Sequence, residues 1–274
     1  MSLFGTLFGG DKTPATESPP EVPQHAFTVD RSKMFDQALT HRVHELLAVP
    51  SEKRGDDWYP EFFGSLWNAS IELPSADNPF MGPDRFDYMR IDLPAEGSFE
   101  SDSLANLAGP CVREGCGAAL YASPTDGEPA YIIPMGVLES LLRYGEWRGE
   151  PSELAEHSEA PVDGPITLET DTRIALSTPN SDYLSENAAF AMDRYLKDEW
   201  QMAEPRVQLM TSADMCPSRS LVINKPRGDF ADEEEAQYFG QCLIWFLPPS
   251  RVVTLLPDDW NEAEMVPLSS LYQR

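Results

Sequence analysis

Short apolar strands alternate with amphipathic helices over residues 173–256, and this alternation constrains the fold more than any other feature of the sequence. Helical spacing of apolar residues predicts helices over 183–200 and 231–247. Short apolar runs predict strands over 173–177, 206–210, 219–224 and 251–256. The resulting β-α-β-β-α-β order is that of the ferredoxin-like split unit. We therefore expect an α+β fold with a four-stranded antiparallel sheet here and both helices on one of its faces.

The earlier part of the chain predicts a second small α+β unit. The clearest helix covers residues 30–49, where Asp30 is placed to cap its start. A hairpin is predicted around residues 125–127, whose Thr-Asp-Gly sequence is typical of a tight turn. A helix over 135–145 follows, with Gly145 as its expected C-cap. The two units show no repeated sequence pattern.

Two segments rich in proline and acidic residues divide the chain into predicted domains. Residues 1–25 include a Pro-, Ser-, Thr- and Glu-rich stretch that cannot build a core, so they form a predicted flexible tether. Residues 148–165 have a similar composition and form a predicted acidic linker. We therefore expect an N-terminal domain at 26–147 and a C-terminal domain at 166–274.

Charge is the strongest compositional feature of the chain. There are 20 Lys and Arg residues against 46 Asp and Glu residues, which gives a formal net charge of −26. A field of this sign repels phosphate groups, so nucleic acid and anionic membranes are not expected partners. The same field attracts basic proteins, and we expect a protein partner of that kind. Solubility alone is the other interpretation of the charge.

The expected compartment is the cytoplasm. No apolar run approaches the ~18 residues that are needed to span a bilayer, so no membrane span is predicted. The first residues lack the basic and apolar regions of a secretion signal. The four cysteines are too few and too widely spread for a disulfide framework, which indicates a reducing environment.

The sequence contains no recognised catalytic or cofactor-binding motif. Cys111 and Cys116 have a C-x4-C spacing that is wrong for a zinc site. His41 and His44 share one helix face, where solvated surface residues are commoner than metal ligands. Residues 227–229 spell Arg-Gly-Asp, which we interpret as a turn before a helix. We therefore predict no catalytic, cofactor-binding or metal-binding residues and no enzymatic activity. The alternative is an enzyme with an unrecognised site.

An apolar segment at the start of the tether is the predicted partner-binding site, and it comprises Leu3, Phe4, Leu7 and Phe8. Full burial of these four side chains is worth about 6–12 kcal/mol. Ordering the eight backbone residues costs about 8–16 kcal/mol. The segment is therefore not expected to fold by itself and needs a groove on this protein or on another. A frayed terminus and a weak membrane contact are the alternatives.

The element order and hydrophobic pattern resemble those of the SseB-like proteins over about residues 58–147 and 170–260. The resemblance rests on residues 61–74 (EFFGSLWNASIELP), 129–134 with the helix that follows, 173–183 (RIALSTPNSDY), and 233–257. It implies a bacterial protein with two α+β domains, and it implies no catalytic residues or cofactors. We therefore expect a non-catalytic protein-interaction module. An acidic immunity or inhibitor protein against a basic toxin stays open as an alternative.

Overall fold

The computed structural model describes residues 35–74, 79–95, 102–149, 173–212, 218–257 and 260–274. These residues form an α+β fold with two mixed β-sheets. The helices are α1 (Gln37–Leu47), α2 (Trp58–Asn68), α3 (Leu104–Glu114), α4 (Met135–Tyr144), α5 (Glu186–Asp198) and α6 (Glu233–Ile244). The strands are β1 (Phe80–Met81), β2 (Asp87–Asp92), β3 (Gly117–Tyr121), β4 (Tyr131–Ile133), β5 (Ala175–Ser177), β6 (Arg206–Thr211), β7 (Arg219–Pro226), β8 (Val253–Leu256) and β9 (Val266–Pro267).

Side-chain caps explain where three of the helices begin. The carboxylates of Asp36 and Asp232 and the hydroxyl of Ser185 each accept a hydrogen bond from a backbone N–H in the first turn of α1, α6 and α5, respectively. Asp36 takes the capping role that was predicted for Asp30, because the helix begins at Gln37. Gly145 ends α4 in the left-handed conformation, with φ of 70°, which confirms its predicted role as a C-cap.

The first sheet has the strand order β1-β2-β3-β4. Strand β2 pairs antiparallel with β1 and parallel with β3, and α3 makes the crossover between the two parallel strands. Strand β4 returns antiparallel to β3, as expected for the hairpin predicted around residues 125–127. The parallel pair is buried: β3 is fully buried along its length.

The second sheet corrects the predicted topology. Its strand order is β5-β6-β7-β8, with β9 added on β6, and β7 pairs parallel with β8. The expected all-antiparallel sheet is therefore wrong, and the sheet is mixed. In the ferredoxin-like split unit, a third strand lies between the two parallel strands that a helix connects. Here α6 connects β7 and β8, which are direct neighbours in the sheet. The predicted elements themselves are present: both helices and all four strands overlap the expected ranges.

One order of elements occurs in both halves of the chain. In the first half, helix α2 is followed by the antiparallel pair β1–β2, the crossover helix α3 and the parallel strand β3. In the second half, helix α5 is followed by the antiparallel pair β6–β7, helix α6 and the parallel strand β8. The sequence pattern did not indicate this correspondence, because the equivalent elements differ in length and residue content.

A continuous core joins the two halves. The main cluster of buried apolar side chains takes members from α1 to α4, from β2 and β3, and from α5, α6, β6 and β7. A smaller cluster, formed by Met210, Val222, Leu256 and Met265, lies on the opposite face of the second sheet. Buried residues of both α5 and α6 belong to the main cluster, and neither helix contributes to the smaller one. The predicted boundary at 148–165 lies outside the described residues from 150 onward, so the division into two domains stays a prediction.

The C-terminal residues 266–274, here called the C-terminal strap, cross from the second half to the first. The amide of Leu268 donates to the carbonyl of Pro205 at 2.9 Å. The Tyr272 hydroxyl donates to the Asp193 carboxylate on α5 at 2.7 Å. The Arg274 guanidinium donates to the backbone carbonyl of Arg113, at the end of α3.

Candidate functional site

The predicted partner-binding residues Leu3, Phe4, Leu7 and Phe8 lie outside the described residues. Residues 227–229 form a single 3-10 turn that precedes the α6 cap, as predicted. His41 is exposed and lies 3.4 Å from Glu45, and His44 contacts the carbonyl of Pro94. Among the described residues, no group of three His, Cys, Asp or Glu side chains is placed to hold a metal ion.

The Cys111–Cys116 spacing has a structural explanation. The amide of Cys116 donates to the carbonyl of Cys111 at 2.9 Å, and Gly115 between them has φ of 78°. This is the Schellman motif that ends a helix, here α3. Burial raises the pKa of the Cys111 thiol well above its usual value and that of Cys116 to about 12. Both thiols are therefore protonated and poor nucleophiles at neutral pH.

A small cleft opens where the two halves meet, between the β1–β2 hairpin, the C-terminal end of α5 and the end of α6. We call it the junction cleft. Its cavity has a volume of about 60 Å³. Small-molecule substrates usually occupy pockets of about 300–1,000 Å³. The junction cleft therefore has room for the end of one side chain, and it is too small for a substrate molecule of ordinary size.

The apolar part of the junction cleft is aromatic and comes from both halves. Phe86 lies parallel to Trp245, with ring centroids 4.3 Å apart and planes inclined by 4°. Tyr195 on α5 stacks on the same Phe86 ring at 4.9 Å, and Phe246 completes the lining. Position 117 requires glycine, because a Cβ there would lie 2.8 Å from the indole ring of Trp245. These contacts fix the position of the aromatic lining.

The polar part of the junction cleft consists of charged side chains. Arg194 donates to the Asp87 carboxylate at 2.7 Å, and Arg85 lies 3.7 Å from Glu199. Each of these pairs joins one half of the chain to the other. Burial raises the pKa of the Asp87 carboxyl group above its ordinary value, although the Arg194 charge acts in the opposite direction. Asp198, the last residue of α5, also lines the cleft, and its side chain is exposed.

Two residues have a strained backbone: Arg85, which lines the junction cleft, and Gln201, whose side chain donates to the backbone carbonyl of Asp198. Arg85 has φ of 68° and Gln201 has φ of 52°, and each conformation costs a non-glycine residue about 1 kcal/mol or more. The Arg85 amide donates to the Gly82 carbonyl at 3.1 Å, which closes the hairpin turn. Asp84 holds this turn in place by accepting a 2.6 Å hydrogen bond from the Tyr88 hydroxyl. Strain of this kind concentrates at functional sites.

The lining of the cleft contains no histidine, cysteine or serine. It offers aromatic rings, three carboxylates and two guanidinium groups. None of these residues was singled out from the sequence as a site residue, because Arg85 and Asp87 meet Arg194 and Glu199 only in the folded chain.

Comparisons with protein-family models, with curated proteins and with solved structures found no match. The resemblance to the SseB-like proteins therefore stays a prediction. In the part of the chain that the structure describes, no helix is both long enough and apolar enough to cross a membrane.

Proposed function

We propose that this chain is a non-catalytic protein-interaction module that binds a basic partner protein. The net charge of −26 is the observation that carries the proposal. A surface with such an excess of carboxylates accelerates encounter with a basic surface and disfavours phosphate-bearing partners. The cytoplasmic location and the SseB-like relationship belong to the same proposal.

The described surface shows how part of this charge is presented. Acidic residues cluster around the start of α6, where Asp229, Asp232, Glu233 and Glu234 are all exposed. The cluster contacts two basic side chains: Arg227 contacts Glu233, and Lys225 lies 3.7 Å from Asp229. These residues also stabilise the positive end of the helix dipole, so their placement has a structural role besides any role in binding.

The N-terminal segment supplies a second contact in this proposal. Leu3, Phe4, Leu7 and Phe8 would bind a groove on the partner while the acidic body faces a basic surface beside it. An inhibitor of a basic toxin is the special case in which the toxin is the partner.

A binding experiment tests the proposal in two steps. Partners are first isolated with the full chain as bait and identified by mass spectrometry, and the purified partner is then measured against defined variants. Changing Phe4 and Phe8 together to Ala is expected to weaken binding about tenfold or more, because two buried aromatic contacts are lost. The association rate is expected to fall as salt rises, because salt screens the attraction between the two surfaces.

Thr6→Ala is the matched control, since it changes the same segment without removing an aromatic ring. The proposal is wrong if deletion of residues 1–25 leaves the affinity unchanged and the association rate does not depend on salt.

A further inference from the structure

We propose that the free edge of strand β8 pairs with an extended basic segment of the partner protein. This inference rests on the proposed function, because it names the part of the fold that would receive that partner. A strand at the edge of a sheet presents unpaired N–H and C=O groups, and an extended segment adds to them as one more strand. In such pairing the main chain supplies affinity and the alternate side chains supply specificity.

The hydrogen-bond pattern of β8 leaves two peptide groups facing outward. The amide of Leu221 on β7 donates to the carbonyl of Val252 at 2.9 Å. Successive residues of a strand point their N–H and C=O groups to opposite sides, so Thr254 also bonds to β7, whereas the N–H and C=O groups of Val253 and Leu255 point away from it. In the part of the chain that the structure describes, no strand pairs with β8 on that outer side, and neither outward-facing residue has a backbone partner there.

Strand β8 differs from the other strands that end the two described sheets. It has four residues, whereas β1, β4, β5 and β9 have two or three. Proteins commonly protect an edge with charged residues or proline, and the β8 sequence VTLL contains neither. Val253 and Leu255 are half-buried and pack against the main cluster, so an added strand would meet apolar side chains that are already held in place.

The charge beside one end of β8 determines which kind of segment fits. Leu256 pairs with Pro226, so the C-terminal end of β8 lies next to the turn that leads into α6. This turn and the first turn of α6 carry the acidic cluster around the start of α6, whose four carboxylates contact only two basic side chains among the described residues. A segment with basic residues at this end is attracted, whereas a second copy of this chain, with its net charge of −26, is repelled.

The direction of the added strand follows from the same end. Antiparallel pairs are the commoner and slightly more stable arrangement. An antiparallel segment places its first residues beside the C-terminal end of β8 and therefore beside the acidic cluster. The segment that fits best thus begins with basic residues and continues with alternating residues of high strand propensity.

The peptide acetyl-Lys-Lys-Thr-Val-Thr-Val-Thr-amide is the probe for the test, with the full chain as the protein. Exchange of backbone amide hydrogens is followed by ¹H–¹⁵N spectra at constant ionic strength. In the free chain, the Val253 and Leu255 amides are expected to exchange fast and the Thr254 amide slowly. Probe at about ten times its Kd is expected to slow exchange at Val253 and Leu255 about tenfold, without a comparable change at Thr254. A peptide that begins with two glutamates is expected to bind more weakly.

Two variants at one position separate the backbone contact from side-chain packing. Val253→Pro removes an outward-facing N–H, and an edge strand tolerates proline at such a position. It is expected to weaken probe binding about tenfold, because strand pairing at this edge is blocked. Val253→Ala keeps the N–H and is the matched control, with an expected loss of about twofold. A slowly exchanging Thr254 amide in Val253→Pro verifies that β8 is still paired with β7.

A second pair of variants tests the charge. Glu234→Gln removes an exposed carboxylate of the acidic cluster and is expected to weaken probe binding about twofold. Glu128→Gln removes an exposed carboxylate in the β3–β4 loop and is expected to leave binding unchanged.

The inference is overturned if the Val253 and Leu255 amides are already protected in the free chain, since another segment or a second copy then covers the edge. It is also overturned if the probe does not slow their exchange, or if Val253→Pro and Val253→Ala weaken binding equally. Its failure is distinguishable from failure of the proposed function. If the purified partner binds in a salt-dependent way and Val253→Pro leaves that binding unchanged, only the β8 edge is wrong. If the probe binds as expected while no protein partner depends on residues 1–25 or on salt, the proposed function is wrong and the β8 edge stands.

Discussion

At the scale of single residues, polar side chains link the two halves of the chain. Glu139 on α4 is 3 % exposed and accepts hydrogen bonds from Arg143 and from Ser185, both at 2.9 Å. Ser185 in turn caps α5 by accepting from the amide of Ala188 at 3.1 Å. One carboxylate therefore orients the cap of a helix in the other half. The half-buried Asp87, which pairs with the exposed Arg194, is a second bridge between the halves, and its titration gives a prediction.

Asp87→Asn is predicted to change how stability depends on pH. Burial raises the folded-state pKa of Asp87 above the ordinary value of 3.8, so the folded protein binds this proton more tightly than the unfolded chain does. The stabilisation from the bound proton is complete below about pH 3.8 and is lost as pH rises through the folded-state pKa. The free energy of unfolding of the wild type is therefore expected to fall relative to that of the variant over this range.

Urea unfolding of both proteins at several pH values between about 3 and 6 measures this difference. Asp56→Asn is the control variant, because Asp56 is an exposed aspartate that pairs with Arg148 at the surface. A wild-type stability that rises relative to Asp87→Asn with increasing pH would contradict the assignment.

At the scale of elements, the backbone at the start of α4 packs closely against the backbone at the end of α6. The amide of Gly136 donates to the carbonyl of Trp245 at 2.9 Å, and a Cβ at Gly136 would overlap the backbone of Leu247. Gly64 on α2 is also within a helix, but it is exposed and has no atom within 4 Å of the position of a Cβ. The two glycines therefore have opposite expected responses to the same substitution.

Gly136→Ala is predicted to destabilise the fold by more than about 2 kcal/mol, because the backbone of Leu247 must move to admit a methyl group. Gly64→Ala is predicted to stabilise it by about 0.5–1 kcal/mol, since alanine is the better helix former. Chemical denaturation of the two variants measures both effects. Equal effects of the two substitutions would show that α4 and α6 do not pack as closely as described.

The local sequence pattern predicted the helices and strands well, and it predicted less well how the strands pair in the sheets. The apolar spacing of residues 183–200 and 231–247 predicted α5 and α6 because it depends on neighbours three and four residues apart. The direction of β8 depends on which strand it joins, and that choice is made by packing of α6 across the sheet. Periodicity contains no information on this choice, so the parallel β7–β8 pair was not predicted. The junction cleft was not predicted for the same reason, since Arg85 and Glu199 are distant in sequence.

The shared core determines how the whole molecule unfolds. Phe86 from the first half stacks between Tyr195 and Trp245 from the second, and all three are buried. A half that separated would expose these rings and the buried Glu139 bridge to water. The cost of exposing them is expected to couple the unfolding of one half to that of the other.

Urea is therefore predicted to unfold both halves in one transition. Cys111 and Cys242 are buried in different halves, so their alkylation reports on each half separately. Pulse alkylation followed by peptide mapping is expected to give the same urea midpoint for both thiols, with Phe86→Ala lowering both midpoints together. Two different midpoints would show that the halves unfold independently and would favour the predicted pair of domains as separate units.

The C-terminal strap has a consequence for how the protein is made. Ribosomes synthesise a chain from its N-terminus, and early segments begin to fold during synthesis. Helices α3 and α5 are complete long before the strap leaves the ribosome, yet Asp193 and the end of α3 receive their contacts from Tyr272 and Arg274. The native contacts of these two helices therefore cannot be completed until the strap has been translated.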